Sequence, residues 1–420
     1  MNTLAAHARR PAPARGMNVL FALSLWVFLL SCVFDPADKV FGLKVWAFAA
    51  CWGIGTLRLV AGNEPVRVRE SLLAYTLLFI LIPILSIFVY YVRGGGEPFD
   101  GFQMLKGYVL ISFALLLDIT RTDLFERMAA TLTLLAVAII GTAIAIAIFP
   151  DLEPLLYVIG ADTGILSIDN RDYGADVVLF QVYFVTSPML AIAIAHYYDR
   201  ARSAQTRGAR IRFAALVAVN VVGMVLAGTR NNILVGIALP LSLWFLHSNR
   251  KALATVVAAA AFVLAAYIFR NELGAFFDPE EHSNSAKLNL LNDYAEIFSS
   301  LPDLIFGQGL GAFYPWSPPK AYASVAELTY LEMIRNFGIF GALGMLALLL
   351  HPIFGAFGRN RPARHATLAV GYGYYMLMCA TNPNMFSSMG ILILSVMLAS
   401  HYREAPAPAS ATRPSAGQPT

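Results

Sequence analysis

Ser71-Leu-Leu-Ala-Tyr-Thr-Leu-Leu-Phe-Ile-Leu-Ile-Pro-Ile-Leu-Ser-Ile-Phe-Val-Tyr-Tyr-Val92 contains no charged residue from end to end. As an α-helix it is long enough to cross the roughly 30 Å hydrocarbon core of a bilayer. Working outward in both directions, comparable apolar runs fall at about 17 to 34, 41 to 61, 102 to 119, 124 to 149, 177 to 198, 212 to 228, 232 to 248, 252 to 269, 326 to 353, 366 to 381 and 385 to 402. Hydrophobic residues make up 58% of the chain and charged residues 13%, which excludes a soluble globular domain of this size. The reading is an all-α polytopic membrane protein with about twelve transmembrane helices.

The basic residues orient it. With both termini cytoplasmic, the inner segments receive 20 of the 30 Lys and Arg and 7 of the 26 Asp and Glu, a net +13 inside against −9 outside. Residues 1–15 and the Pro-, Ala- and Ser-rich 404–420 read as cytoplasmic tails without structure. Residues 16–403 form one transmembrane domain with outer loops at 150–176 and, between helices nine and ten, at 270–325. The first span is expected to be retained, since no small-x-small cleavage site follows it. Cys32, Cys51 and Cys379 have neither metal-site nor disulfide spacing and read as core packing. The five arginines from Arg200 to Arg212 read as an anchor at anionic lipid headgroups.

A long loop in a compact membrane chain is usually functional, and the 270–325 loop is the one to read closely. It holds His282, an amphipathic stretch from Leu288 to Ser300 with Leu291, Tyr294, Ile297 and Phe298 on one face, and the run Phe306-Gly-Gln-Gly-Leu-Gly-Ala-Phe313. Gly307, Gly309 and Gly311 lack the GK[ST] signature and a preceding strand, so they read as a turn that lets the backbone approach a neighbour rather than as a phosphate loop. The chain then re-enters an apolar helix at Ala326, with Glu327 at its start and Glu332 and Arg335 in its first turns. A lipid-facing charge there would be expensive. Glu332 and Arg335 stand three residues apart, the spacing of a helix ion pair; a role in binding is the alternative.

Two further outer arginines stand out. Arg230, in Ala227-Gly-Thr-Arg-Asn-Asn232, sits in a tight turn at a helix start, where a free N-terminus, two amides and a guanidinium suit an anion; an interfacial arginine is its bland reading. Arg171 lies in the acidic stretch Ile168-Asp-Asn-Arg-Asp-Tyr-Gly174, which reads as solvated because it has no EF-hand spacing. His282 is the only histidine in an outer loop and the only outer side chain whose ordinary range suits base chemistry near neutrality.

The order of a tight turn with Arg230, a large outer loop with a Pro-x-x-x-x-Gly-x-Gly-x-Gly segment, and a helix opening into Gly338-Ile-Phe-Gly341 resembles the bacterial O-antigen polymerase and O-antigen ligase superfamily. The match covers roughly Val221 to Leu350. Glu327-Leu-Thr-Tyr-Leu331 followed by Gly338-Ile-Phe-Gly341 fits the superfamily's His-Asn-x-Tyr-Leu block, with Glu327 where the ligases carry histidine. That departure leans towards a polymerase of O-antigen or exopolysaccharide repeat units.

The resemblance implies a multi-pass glycosyltransferase of the bacterial inner membrane, with its active face periplasmic. It would use a polyprenyl-diphosphate-linked glycan donor and a glycan acceptor, among membrane lipid, with a chain-length regulator as a further partner and no nucleic acid. A diphosphate departs as an anion without protonation, so such a site needs fixed cations and a base for the incoming hydroxyl. Arg230 matches the family's arginine position and Glu327 its base position; Arg335, Arg270 and Arg171 are further candidates for the diphosphate, and His282 is the alternative base. Arginines stand in for a divalent cation, so neither metal nor cofactor is expected. An O-antigen ligase is the first alternative. A twelve-helix transporter is the second, although the large outer loop and charges gathered towards the outer end suit it poorly.

Overall fold

The computed structural model of the protein describes residues 15–40, 42–62, 68–95, 99–172, 178–268, 282–316, 321–323, 327–358 and 361–403. Among the described residues, six helices are long and apolar enough to cross a membrane: Gly16–Phe34, Glu70–Val92, Gly101–Ile119, Phe125–Ile148, Arg207–Leu226 and Thr329–Ala356. Further helices occupy Lys44–Ala61, Leu190–Ser203, Arg230–His247, Lys251–Ile268, Ala363–Cys379 and Ser388–Arg403.

The Glu70–Val92 helix shows why these elements belong in lipid. One of its faces buries Leu72, Tyr75, Phe79 and Ile87, while the opposite face exposes Leu77, Leu81, Leu85 and Phe88. A helix apolar on both faces has protein on one side and hydrocarbon on the other. The chain is a predominantly helical, multi-pass membrane protein. At its centre stands the Leu190–Ser203 helix, whose residues Leu190 to Ala195 are fully buried against the Phe125–Ile148, Arg207–Leu226, Arg230–His247 and Ala363–Cys379 helices. Three of those six buried residues are alanines, and small side chains let helix backbones approach closely where no hydrophobic force drives them together. Ser388–Arg403 is buried almost as completely.

Two expected elements differ. The run from 177 to 198 is not helical throughout. Val178–Phe184 forms a strand paired antiparallel with Leu166–Asp172, in the register Leu166↔Phe184 to Asp172↔Val178, before a 3-10 turn at Ser187–Met189 leads into the central helix. Val-Leu-Phe-Gln-Val-Tyr-Phe is a β-branched and aromatic run, and hydropathy alone does not separate a buried strand from a buried helix. The outer segment 150–176 likewise contains a helix, Leu152–Thr163, ahead of that hairpin.

The 270–325 segment is more than loop, since it contains a helix at His282–Phe298, a short helix at Leu301–Phe306 and a second hairpin, Tyr314–Trp316 with Ala321–Ala323. The first of these, the loop helix, starts six residues before the expected amphipathic stretch and buries Leu290 and Tyr294, leaving Leu291 exposed. Two of the five arginines between Arg200 and Arg212 stack on one ring: Arg200 and Arg212 lie over Phe213 at 5.2 and 4.8 Å. Cys32, Cys51 and Cys379 are buried thiols.

The Thr329–Ala356 helix is broken. Gly338 takes φ 68° and ψ 172°, splitting it into two helical pieces. That region of backbone space is open essentially to glycine alone. The segment from Ile305 to Ala312 packs on the break: a Cβ built on Gly338 would stand 2.1 Å from the Ile305 carbonyl oxygen, and one on Gly307 2.6 Å from the Gly338 nitrogen. Backbone therefore lies on backbone. Gly338→Ala is expected to lower stability by roughly 2–4 kcal/mol, from left-handed strain and overpacking together. A thermal midpoint in detergent equal to that of the unaltered protein would show that the segment yields.

Candidate functional site

Arg335 organises the broken helix and the loop segment against it. Its guanidinium is fully buried, with Nε donating to Glu332 Oε2 at 2.9 Å and NH2 to Glu332 Oε1, while NH1 donates to the Ala312 carbonyl at 2.9 Å. The Arg335 carbonyl in turn accepts from the Gln308 amide at 2.6 Å. Ser86 completes the join: its hydroxyl donates to the Asn336 carbonyl and accepts from the Leu310 amide. Arg93 pairs with Asp303 and donates to the Gly307 carbonyl. The glycines here serve close approach of the backbone to these partners.

Glu332 accepts from four donors, since Asn336 Nδ2 reaches Oε1 at 3.0 Å and the Tyr294 hydroxyl reaches Oε2 at 2.8 Å, in addition to the two from Arg335. A carboxylate so occupied has no lone pair left for a substrate proton. Glu332 and Arg335 are thus the ion pair that their spacing allowed, and Arg335 has most of its donors spent on protein. A buried pair of this kind is costly to break on one side only, at about 3–5 kcal/mol.

Glu327 sits at the same end, but outside the helix whose start the sequence reading gave it. The helix begins at Thr329, and Leu328 adopts φ 64° and ψ 60°. The left-handed Leu328 cannot continue a right-handed helix, so Glu327 occupies a bend ahead of it, half-buried. Its carbonyl lies 3.3 Å from the Tyr294 hydroxyl.

Arg230 opens its helix as expected, because Thr229 caps the N-terminus by accepting from the Asn232 amide at 3.2 Å. Arg230 is half-buried, with NH1 donating to Asn284 Oδ1 of the loop helix at 3.2 Å. The neighbouring amides tie this helix start to its surroundings: Asn231 Nδ2 donates to Thr381 Oγ1 at 2.6 Å and Asn232 Nδ2 to Ser187 Oγ at 2.9 Å.

A polar bridge joins the Arg230 and Glu327 regions. Asn231 meets Thr381, and the adjacent Asn382 carbonyl accepts from the Thr329 hydroxyl at 2.8 Å, two residues after Glu327. The loop helix makes a second bridge, with Asn284 on Arg230 and Tyr294 on the Glu327 carbonyl. His282 is the first residue of that helix, and Arg171 lies on the strand Leu166–Asp172; the side chains of both lie outside the described residues, as does the whole of Arg270.

Sequence reasoning passed over Tyr294 as a polar group, and over Asn284 and the Thr381-Asn-Pro-Asn384 turn. The turn carried a usable signal: four residues rich in side-chain donors and acceptors, wedged between two apolar spans. Tyr294 carried none, because on its amphipathic face a phenol reads as an aromatic.

The arrangement sets a guanidinium at a capped helix N-terminus and a carboxylate on a non-helical bend at one end of the bundle, with amides and hydroxyls between them. Such a set can hold an anion and accept a proton. No family model and no curated protein matches the chain.

Proposed function

We propose that the protein is a polymerase of polyprenyl-diphosphate-linked oligosaccharide repeat units, of the O-antigen or exopolysaccharide kind. It crosses the bacterial inner membrane twelve times, keeps both termini in the cytoplasm and works at the periplasmic face. The observation that carries this reading is the joining of Arg230, at a capped helix start, to the Glu327 bend through Asn231, Thr381, Asn382 and Thr329. It is supported by the likeness of Arg230 and of the block Glu327–Gly341 to the polymerase and ligase pattern.

In this reading Arg230 grips the diphosphate of the donor, where its fork matches two phosphate oxygens. The acceptor hydroxyl oxygen forms its bond to the anomeric carbon as the bond from that carbon to the diphosphate oxygen breaks. The electron pair leaves with the diphosphate, and the hydroxyl proton passes to the Glu327 carboxylate. Neither step calls for a metal ion, because the guanidinium neutralises the charge that develops on the leaving group.

The test is transfer by the purified full-length protein, in nanodiscs, with a polyprenyl-diphosphate oligosaccharide as the sole sugar and EDTA present. Ladders of repeat units still bearing the lipid diphosphate are expected. Transfer only when lipid A core is added would make the protein a ligase. Absence of any transfer, with or without added magnesium, would remove the glycosyltransferase reading.

A further inference from the structure

Leu328 is a bulky non-glycine residue in the left-handed region, at φ 64° and ψ 60°, and it directly follows Glu327. Such a conformation is strained for a side chain with a Cβ and survives only where the surroundings over-determine it. They do so here from three sides. The Thr329 hydroxyl donates to the Asn382 carbonyl at 2.8 Å. The Leu328 carbonyl accepts from the amides of Leu331 and Glu332 at 2.9 and 3.1 Å. The third hold is Tyr294, whose ring is buried with Leu290 in a cluster that Ile297, Phe298, Leu328 and Leu331 complete.

The Tyr294 hydroxyl is the only group described that touches both sides of the bend, 3.3 Å from the Glu327 carbonyl and 2.8 Å from Glu332 Oε2. Glu332 is itself fixed by Arg335 and Asn336, so it gives the phenol a rigid anchor. A hydroxyl has one proton to donate. It lies mainly towards the nearer carboxylate oxygen and is shared with the Glu327 carbonyl as the weaker acceptor of a bifurcated bond, which ties the phenol to the Glu327–Leu328 peptide.

We infer that Tyr294 is a positioning residue for Glu327. Anchored on the Glu332–Arg335 pair, it holds the strained Leu328 bend that turns Glu327 out of the helix, and so fixes where the carboxylate stands. The inference rests on Glu327 being the base of the proposed transfer. The loop helix then does two jobs through residues ten positions apart, about 15 Å along a helix: Asn284 meets Arg230 at one end, and Tyr294 sets the Glu327 bend at the other.

Tyr294→Phe removes the hydroxyl and keeps the ring in its cluster. In purified protein it is expected to lower kcat for glycan transfer about tenfold, the scale of one lost hydrogen bond, with KM for the donor within about twofold. Leu328→Ile keeps apolar bulk but disfavours the left-handed region, and should reproduce that kcat loss, whereas Leu328→Asn, which tolerates it, should keep kcat within about threefold of the unaltered protein. A variant that merely loosens the fold would lower the thermal midpoint and leave kcat per folded molecule unchanged; that result would overturn the inference.

A second measurement does not depend on transfer. With cysteine introduced by Glu327→Cys, maleimide labelling is expected to be several-fold faster when Tyr294→Phe is added, because the bend is released. Equal labelling rates would overturn the positioning role whichever reaction the protein runs. Faster labelling, where the protein with Glu327 intact transfers no glycan, would uphold it and remove only the glycosyl-transfer reading.

Discussion

Arg230→Ala is expected to cut glycan transfer by roughly 10²- to 10³-fold, the range typical of removing one fixed stabiliser of developing charge. Arg230→Lys should fall between this variant and the unaltered protein. Lysine keeps the charge but presents a single point in place of a planar fork, and the two phosphate oxygens are then no longer gripped together. The geometry sharpens the expectation. Arg230 NH1 already donates to Asn284 at 3.2 Å, so the guanidinium is held in one orientation before a donor arrives, while the Thr229 cap fixes the helix start beneath it. Preorganised charge stabilises a transition state without the cost of reorienting at the moment of reaction. The check is steady-state transfer by each variant at matched amounts of folded, membrane-inserted protein. Rates for Arg230→Ala within a few-fold of the unaltered protein would remove the diphosphate-holding role.

Glu327→Gln should cost roughly 10²- to 10⁴-fold in rate while leaving donor binding largely intact, because it keeps the shape of the side chain and removes the proton acceptor. The informative comparison is with His282→Ala. Both residues stand on elements that Tyr294 joins: Glu327 on the bend, and His282 at the head of the loop helix, two residues before Asn284. Glu332 is no competitor, since its two oxygens already accept from Tyr294, Arg335 and Asn336. Polymer formation and donor affinity, measured side by side in the two variants, divide the roles. Normal polymer from Glu327→Gln, with none from His282→Ala, would move the base to the histidine and leave Glu327 as an ordinary charge on a turn.

Local chemistry was the legible part of the site. Arg230 at a helix start is readable because Thr229, a capping residue, directly precedes it and two amides follow. The Glu332–Arg335 pair is readable because helical spacing places the two side chains on one face. The choice between a pair and a binding role was not readable. It depended on whether other groups occupied the remaining donors and acceptors, and these come from Ala312 and Tyr294, in segments separated from the helix by the unreadable path of the loop. Glu327 was placed two residues too deep in its helix for a related reason. Nothing in Ala-Glu-Leu-Thr-Tyr announces a left-handed leucine, which packs with Leu331 against Tyr294 while the next residue, Thr329, is held by the Asn382 carbonyl.

The sequence by itself determined that the chain lives in a membrane, because length and hydropathy of a span are properties of consecutive residues and need no partner. It also suggested that Gly307, Gly309 and Gly311 form a turn for close approach, since no phosphate-loop pattern surrounds them; in the fold all three adopt positive φ, and Gly307 and Gly309 leave no room for a Cβ. Tertiary structure alone decided what they approach. The break at Gly338 faces the Ile305 carbonyl, which leaves no room for a Cβ, and Ser86, from a helix 250 residues earlier in the chain, ties the two segments of that contact together. The hairpin Leu166–Phe184 was decided in the same way, since a strand is stabilised by the partner that completes its hydrogen bonds, and an apolar run reads alike whether that partner is another strand or its own next turn.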